Sequence, residues 1–384
     1  MAALRNIVVL VTDISTRKAY DLVNILRTKG IHYIVCDSCS AVEKVMLEKI
    51  YSGKRELLRK DRYFYEDMHR IVEKYQNDTL VYIPVEEDTT LLFYEYISTH
   101  APQNLHYNLP KKEVFDIVRD KGAFSSFCHE KGLPVPKEYL LEEVLQMDNP
   151  PLPLILKPKH GSGSIGIRYI DTKEALEGLQ NLDMSEYILQ QRLTNSRDVE
   201  GAFFLMHEGK SVTYYGHKRI RTYPVSGGVT VYSKCQINEV LRQSGIQLLQ
   251  ELNWSGIAMV EFIYDEESKT YKIIEVNPRL WGSLMLSEYC GSGMIENYIN
   301  TACGLPVRDY KIEENRYIRW FFPWDILSWI EQKDKIPNFW NFSLKNTCYI
   351  NFTYGRFTHN MFFLLYNIAS PAKLRKLWQK VFAK

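Results

Sequence analysis

The first hundred residues alternate between short apolar runs and longer stretches in which apolar residues recur every three or four positions. Short apolar runs are typical of buried strands, and the longer spacing is typical of amphipathic helices. A chain that alternates strand and helix predicts a small parallel α/β sheet. The predicted strands are 6–11, 31–35 and 79–84, and the predicted helices are 16–29, 40–60 and 63–75.

Acidic residues follow two of these strands, at the edge where open sheets bind ligands. Asp13 follows the first strand, and Glu86, Glu87 and Asp88 follow the third. Helix caps and solvated turns are the favoured interpretation of these acids. A ligand site at the sheet edge is the alternative.

Beyond residue 111 the pattern changes to one long helix followed mainly by strands. The helix is predicted over 111–131, where Gly132 and Pro134 end it. Strands then dominate to about residue 235, and another helix is predicted over 238–252. Residues 316–384 hold five of the seven tryptophans, so this segment is expected to form an aromatic-rich extension.

A β-hairpin is predicted over 257–276, where two alternating apolar runs flank a polar stretch. With the turn centred on Ser268, Glu261 lies opposite Glu275, and Asn277 projects from the same face. Carboxylates directly opposite each other repel unless a cation lies between them, and oxygen ligands of this kind suit Mg²⁺. A solvated hairpin face with two unrelated acids is the alternative interpretation.

The sequence GSGSIG, from Gly161 to Gly166, matches the G-x-G-x-x-G pattern of dinucleotide-binding folds. That pattern must open a helix, whereas residues 167–170 continue as a strand. The segment therefore predicts a glycine-rich loop whose backbone N–H groups can approach phosphates, with a flexible hairpin tip as the alternative. Lys157 ends the preceding strand and is placed to contact a phosphate. No G-x-x-x-x-G-K-[ST] sequence occurs, which excludes a P-loop fold.

Composition is that of a soluble globular protein. The 384 residues suffice for two or three domains, and 45% of them are hydrophobic. The formal charge of +2 gives no argument for binding nucleic acid. Seven cysteines without a regular spacing are expected to be free thiols in a reducing compartment. No apolar run approaches the ~20 residues that span a bilayer, so we expect a cytoplasmic protein.

Taken in order, these motifs resemble an ATP-grasp enzyme of the carbamoyl-phosphate-synthase-like branch of carboxylate ligases. The resemblance covers about residues 115–300. Lys121, eleven residues before the sequence GLPVPK, resembles the first nucleotide lysine of the family, and Lys157 resembles the second. The residues that resemble the family's ligands for two Mg²⁺ ions are Glu261, Glu275 and Asn277, and Arg279 resembles its phosphate-side arginine.

The resemblance also implies a nucleotide pocket. YILQQRL resembles the hinge strand beside the adenine, although the family usually has Glu where this chain has Gln191. SRDVEG resembles the segment that carries acids near the ribose. His160 lies beside the glycine-rich loop, where it could contact the nucleotide, and the alternative is that it is only a turn residue. It is not expected to be catalytic. The implied nucleotide-binding residues are Lys121, Lys157, His160, Gly161, Ser162, Gly163, Ser164, Gly166, Gln190, Gln191, Leu193, Asp198 and Glu200.

A basic segment, HKRIR at 217–221, precedes a Pro-Val-Ser-Gly-Gly loop. Alternating cations on a strand beside such a loop could hold phosphate or an acidic acceptor, and an exposed strand face with solvated cations is the alternative. The sequence Trp281-Gly282-Ser283 follows the metal strand and is expected to line the acceptor pocket. The candidate catalytic residues are Lys157, Lys218, Arg219 and Arg279.

The last fifteen residues predict a helix that begins at Ser370 and Pro371. Its apolar stripe favours docking on the protein or on a second subunit, with lysines near the helix C-terminus. Weak contact of residues 371–384 with an anionic membrane surface is the alternative. A homodimer is also expected, since similar enzymes commonly form one.

The resemblance implies a mixed α/β and α+β ATP-grasp fold in four parts. The leading hypothesis is a ligase that uses ATP and two Mg²⁺ ions to activate a small-molecule carboxylate as an acyl phosphate and join it to an amine. The alternatives are an ATP-binding sensor without ligase activity and a kinase-like enzyme that releases an acyl or carbamoyl phosphate. The four parts are an N-terminal α/β domain (1–110), a small or lid subdomain (111–192), a large subdomain with the metal site (193–305) and a C-terminal extension (306–384).

Overall fold

The structure is a computed structural model that describes most of the chain. The described residues are 6–38, 41–51, 53–161, 166–193, 199–225, 228–332, 339–342, 345–350 and 357–369. Among them, no helix has both the length and the apolar character needed to cross a membrane. The terminal helix predicted over 371–384 lies outside the described residues.

A parallel sheet of five strands forms the N-terminal part and confirms the predicted alternation of strand and helix. The strands are β1 (Ile7–Val11), β2 (His32–Cys36), β3 (Lys54–Glu56), β4 (Thr79–Tyr82) and β5 (Leu105–His106), and the helices are α1 (Arg17–Thr28), α2 (Ala41–Ile50), α3 (Phe64–Lys74) and α4 (Glu87–Thr99). Their spatial order is β3-β2-β1-β4-β5. The central strand β1 is apolar throughout because helices cover both faces of the sheet.

The prediction of a helix over 40–60 is wrong beyond Ile50. The chain instead forms β3 at the sheet edge, where Glu56 is buried. Glu56 accepts hydrogen bonds from Lys74 Nζ at 2.6 Å and from Tyr75 Oη at 2.9 Å, at the end of α3. These partners are distant in sequence, so local periodicity could not reveal them.

Residues 111–131, predicted as one helix, form two that are separated at Asp120. The Asp120 backbone is extended. Its carboxylate accepts hydrogen bonds from the backbone N–H groups of Gly122, at 2.8 Å, and Ala123, at 3.0 Å. Aspartate is favoured at this position because it satisfies N–H groups that lack a partner within the helix. Lys121 therefore begins a helix of its own. The two helices are α5 (Lys112–Arg119) and α6 (Lys121–Glu130).

A small antiparallel sheet follows. Its strands are β6 (Glu138–Tyr139), β7 (Leu154–Pro158), β8 (Arg168–Ile170) and β9 (Tyr187–Gln191), with helices α7 (Leu141–Leu145) and α8 (Lys173–Glu177), and the spatial order is β6-β9-β7-β8. Leu154, Leu156 and Leu189 form a core with the two helices. Because strand residues alternate between faces, Lys157 and Gln190 project from the other face.

The large sheet has seven strands, antiparallel except for its last pair. Its members are β10 (Glu200–His207), β11 (Lys210–Tyr223), β12 (Val229–Cys235), β13 (Gly256–Asp265), β14 (Thr270–Asn277), β15 (Tyr317–Arg319) and β16 (Thr347–Tyr349), in the order β14-β13-β10-β11-β12-β15-β16. Phe204 packs with α5, α6 and helix α9 (Glu239–Glu251), whereas Phe203 faces the N-terminal part. Because α5 and α6 share this core, they pack with the large sheet rather than with the small subdomain predicted to begin at residue 111.

The C-terminal extension adds strands β15 and β16 to the large sheet. The remaining helices are α10 (Leu284–Tyr289), α11 (Met294–Ala302), α12 (Ile326–Gln332) and α13 (Phe357–Ala369), with shorter turns at Met184–Glu186 and Phe321–Asp325. Buried Asp325 accepts two hydrogen bonds from Arg221 in β11, at 2.6 and 2.8 Å, and pairs with Arg319 in β15. This ion pair joins the aromatic-rich segment to the strand that carries the basic residues.

Candidate functional site

The two predicted metal carboxylates lie opposite each other in the large sheet, where Glu261 pairs with Glu275 as the sequence predicts. The turn between them is centred half a residue earlier than predicted, since Asp265 pairs with Thr270. A β-bulge at Ile274 takes up the difference. Without the bulge Glu261 would face Ile274, and the Glu275 side chain would project from the other face of the sheet.

The two carboxylates repel each other within a buried environment. Burial raises the pKa of Glu261 to about 7, and the charge of Glu275 adds to this effect. Burial acts on Glu275 in the same direction, but the charge of Lys121 and the amide of Asn277 lower its pKa below the ordinary value. No cluster of three or more His, Cys, Asp and Glu side chains suited to a metal occurs in the described part of the chain. A cation at this pair would therefore also need the amide of Asn277 and oxygen atoms from outside the protein.

Two arginines contact these ligands. Arg219 in β11 forms an ion pair with Glu261. Arg279 donates from Nη2 to Asn277 Oδ1 at 2.8 Å, and its Nε lies 3.2 Å from Glu87 Oε1. Arg279 thus joins a predicted metal ligand to the N-terminal sheet.

Most of the acids that follow the N-terminal strands are paired rather than solvated. Glu86 lies 2.6 Å from Lys18 Nζ and makes no side-chain cap on α4, and Asp13 accepts from Lys60 Nζ at 2.5 Å. The interpretation of these two acids as caps or solvated turns is wrong. Asp88 is almost fully exposed, and its Oδ1 lies 3.4 Å from Arg119 Nη2.

Two lysines lie within electrostatic range of the carboxylates, one in the small sheet and one at the start of α6. Lys157 is buried at the end of β7, and its Nζ donates to Gln190 Oε1 at 3.1 Å. Burial lowers the pKa of Lys157 to about 8, and Glu275 is the strongest of the charges that oppose this effect. Lys121 donates to the carbonyl oxygen of Gly161 at 2.8 Å, and its charge further lowers the Lys157 pKa. The structure therefore brings both lysines within electrostatic range of the acidic pair.

The hinge residues divide between the two faces of β9. Gln190 is buried on the face of Lys157, and its Nε2 lies 3.4 Å from Glu138 Oε1. Gln191 contacts the turn of the metal hairpin at 3.4 Å, and Leu193 is buried. Glu138 extends the polar chain from Lys157, and sequence reasoning missed it because no motif marks its position.

Gly161 and Gly166 border the glycine-rich loop with φ of +112° and +77°. Such values disfavour residues that carry a Cβ, and at Gly166 a Cβ would also lie 2.8 Å from Pro158 Cγ. The His160 side chain is exposed, as is typical of a turn residue, and its Nε2 lies 3.6 Å from Asp120 Oδ2. The predicted residues Ser162, Gly163, Ser164 and Asp198 lie outside the described residues.

Lys218 and Glu200 lie on the wrong face of the large sheet for their predicted roles. They are cross-strand partners, and Glu200 also pairs with Phe262, which is buried in the core with α9. The side chain of Glu261, one residue earlier, projects from the opposite face. The structure therefore does not bring these two residues to the metal ligands, as their predicted catalytic and nucleotide-binding roles would require. Glu200 instead accepts a hydrogen bond from Tyr271 Oη at 2.9 Å.

His217 and Arg219 share the face of Glu261. His217 is buried, and its Nδ1 lies 3.0 Å from Ser283 Oγ. Burial and then the charge of Arg219 hold the pKa of His217 well below its usual value. Arg17 of α1 approaches the neighbouring Gly282, where a Cβ would lie 2.5 Å from Arg17 Nη2. Sequence reasoning missed Arg17, since no motif in α1 marks it.

Residues 118–283 match the family model of the ATP-grasp domain. The chain contains an ATP-grasp domain. The matched segment runs from α5 to the residue before α10, so it includes both lysines, the small sheet and the metal hairpin. The resemblance stated from the motifs is thereby confirmed.

Solved structures share the fold of this chain. Biotin carboxylase from Campylobacter jejuni, in a β,γ-ATP complex, is 16% identical with a TM-score of 0.63 and covers 81% of this chain and 74% of its own. A second solved structure is the biotin carboxylase domain of Hydrogenobacter thermophilus 2-oxoglutarate carboxylase, in complex with MgADP and bicarbonate. It is 16% identical with a TM-score of 0.61, and the match covers 82% of this chain and 73% of that chain. The predicted ATP-grasp fold is therefore confirmed.

Curated relatives match a smaller part of this chain. The carbamoyl phosphate synthase large chain of Methanocorpusculum labreanum is 24% identical over 185 residues, which are 44% of this chain and 17% of that protein. The chain spans less than a fifth of the length of the curated relatives it matches.

Proposed function

We propose that this protein is an ATP- and Mg²⁺-dependent ligase that joins a small-molecule carboxylate to an amine. The proposal is carried by one observation: Lys157 of the small sheet and Lys121 at the start of α6 both interact electrostatically with Glu275 on the large sheet. Phosphoryl transfer depends chiefly on positioning and charge neutralisation. A triphosphate held between the lysines and the acidic metal ligands would be both positioned and neutralised in charge.

The predicted ligands fit Mg²⁺. Glu261 and Glu275 are directly opposed, and the charge of Glu275 helps to raise the pKa of Glu261, so the pair favours an added cation. Mg²⁺ commonly takes one or two carboxylates and completes its shell with water and phosphate oxygens. We propose that these carboxylates and Asn277 hold two ions. Bound Mg²⁺ would neutralise charge on the phosphate oxygens.

In the proposed reaction, an oxygen of the substrate carboxylate attacks the γ-phosphorus of ATP, and the bond from that phosphorus to the bridging oxygen breaks. This step gives an acyl phosphate and ADP. An amine nitrogen then attacks the acyl carbon, the bond from that carbon to the phosphate oxygen breaks, and phosphate and a proton leave. Lys121 and Lys157 would bind the phosphates, and Arg279 would hold Asn277 in place through its 2.8 Å hydrogen bond.

The similar proteins support this class of chemistry. One neighbour is a biotin carboxylase solved with a nucleotide, another was solved with MgADP and bicarbonate, and a curated relative is a carbamoyl phosphate synthase large chain. Two of these names describe a carboxylase, and the third describes a synthase of carbamoyl phosphate. The carboxylate and the amine of the present protein are not carried over from those names.

The test is a screen for ADP release with pools of amino acids, peptides and sugar acids, with and without pooled amines. A ligase gives ADP release that depends on a carboxylate and consumes an amine in equal amount. Carboxylate-dependent ADP release with no loss of amine would instead identify a kinase-like enzyme. Tight ATP binding with no turnover in any pool would identify a sensor.

Glu275→Gln is the decisive variant, because it removes one of the two opposed charges and preserves side-chain size. We expect it to lower carboxylate-dependent ADP release by at least about a hundredfold, the usual loss for a group that stabilises transition-state charge. Glu266→Gln is the matched control, since Glu266 lies in the turn of the same hairpin and pairs with exposed Lys269. Turnover retained in Glu275→Gln would refute the metal role of this residue.

A further inference from the structure

Two buried nitrogen atoms beside the acidic pair have no hydrogen-bond partner among the described residues. They are His217 Nε2 and Arg219 Nε. Both residues belong to β11 and project from the face that carries Glu261. Buried polar atoms are nearly always hydrogen-bonded in native proteins, so two such atoms side by side indicate a place for a ligand.

Gly201 directs the imidazole towards the acidic pair. In the sheet, Gly201 lies between His217 and Glu261 and pairs with both. A Cβ on Gly201 would lie 2.8 Å from His217 Nε2, so the ring occupies the space that a side chain would fill. His217 Nε2 therefore lies over the strand that separates β11 from Glu261.

The hydrogen bond to Ser283 decides which imidazole nitrogen carries the hydrogen. Ser283 is buried, and its hydroxyl lies 3.0 Å from His217 Nδ1. We assign the hydroxyl as the donor to Nδ1, which leaves the hydrogen on Nε2 of the neutral ring. Arg219 Nε always carries a hydrogen. Both atoms without a partner are therefore donors, which match the acceptor oxygens of an anion.

The charge of Arg219 becomes available once the acidic pair binds a cation. Arg219 Nη2 is paired with Glu261, and a divalent cation beside that carboxylate would offset its charge. The guanidinium can then attract a second anion through Nε. The aromatic ring of Phe203 lies 4.8 Å from the imidazole and 4.5 Å from Trp281, which gives the donors an apolar wall.

We propose that His217 and Arg219 bind the carboxylate group of the substrate and hold it beside the metal ligands for attack on the γ-phosphorus. This inference rests on the ligase function proposed above, and it identifies the residues that bind the carboxylate substrate of that reaction. It also accounts for Gly201, because any side chain there would displace the imidazole. Lys218 projects from the other face and takes no part.

The test uses Mn²⁺ with ADP in place of the magnesium nucleotide and [1-¹³C]acetate as the simplest carboxylate. Bound Mn²⁺ accelerates relaxation of a nearby ¹³C nucleus, so titration of the relaxation rate measures acetate binding next to the metal. Arg219→Lys keeps a positive charge opposite Glu261 but removes the Nε–H group. We expect it to weaken acetate binding about tenfold, the loss typical of one charge-assisted hydrogen bond. His217→Leu is expected to do the same.

Lys234→Gln is the control, because Lys234 pairs with Lys218 on the other face of the sheet. It is expected to bind acetate as the wild type does. Electron paramagnetic resonance of Mn²⁺ reports metal–nucleotide binding separately. Variants that bind Mn²⁺–ADP normally but lose the acetate effect support the inference, and equal acetate binding in all four proteins overturns it. Wild-type protein that leaves Mn²⁺–ADP free refutes the proposed metal site, and the inference with it.

Discussion

ADP binding is expected to weaken as the pH rises through about 8, because Lys157 must be protonated to hold a phosphate. Burial lowers the pKa of Lys157 to about 8 in the free protein. A bound phosphate stabilises the ammonium form and raises that pKa, so binding at alkaline pH requires uptake of a proton. Affinity is therefore full below pH 8 and falls as the pH rises above it.

The size of the effect follows from the pKa of the free lysine. Each pH unit above that pKa lowers the affinity about tenfold, or about 1.4 kcal/mol, as long as the pKa in the complex is higher still. Between pH 7 and pH 9 the dissociation constant of ADP is thus expected to rise about tenfold. An exposed lysine, with a pKa near 10.4, would give almost no change over that range.

Isothermal titration calorimetry with ADP, without Mg²⁺, measures this dependence at several pH values. Lys157→Arg is the matched variant, since arginine stays protonated throughout the range. Its ADP affinity is expected to differ in absolute value from that of the wild type but to vary little with pH. A wild-type affinity that does not change between pH 7 and pH 9, or an equal slope in Lys157→Arg, would refute the assignment of a phosphate to Lys157.

Two further predictions concern other parts of the large sheet. Asp325→Asn leaves two arginines without their buried counter-charge and is expected to lower the free energy of unfolding by about 3–5 kcal/mol in urea titrations. Asp116→Asn, which breaks an exposed ion pair within α5, is expected to cost less than about 0.5 kcal/mol, and equal costs would contradict the argument. Lys218→Gln and Glu200→Gln are each expected to leave ADP affinity within about twofold of wild type, so a tenfold loss in either would return that residue to the site.

Local patterns in the sequence were sufficient to predict the hairpin and the lysine beside the glycine-rich loop. The register of Glu261 and Glu275 was predicted correctly, although the turn centre was not. The bulge at Ile274 compensates for that difference, and no pattern in the sequence predicts this bulge. Asp120 carries an N-cap signal that could have divided the helix predicted over 111–131.

The errors have two physical origins. Lys218 was grouped with its neighbours as one basic patch, although adjacent residues of a strand project from opposite faces, so this error could have been avoided. The partners of Arg279, Asp325 and Glu56 depend on contacts between distant parts of the chain. Such contacts have no local signature, and periodicity or spacing cannot predict them.

The position of Arg279 has a consequence for how the protein can be divided. Its side chain contacts Asn277 within the matched segment and Glu87 before that segment begins. A fragment limited to residues 118–283 would retain every predicted metal ligand but lose the acids that hold this guanidinium from outside. The released guanidinium could then turn towards Glu275 and compete with the cation there. Truncation to residues 118–283 would thus keep the predicted metal ligands but change the balance of charge around them.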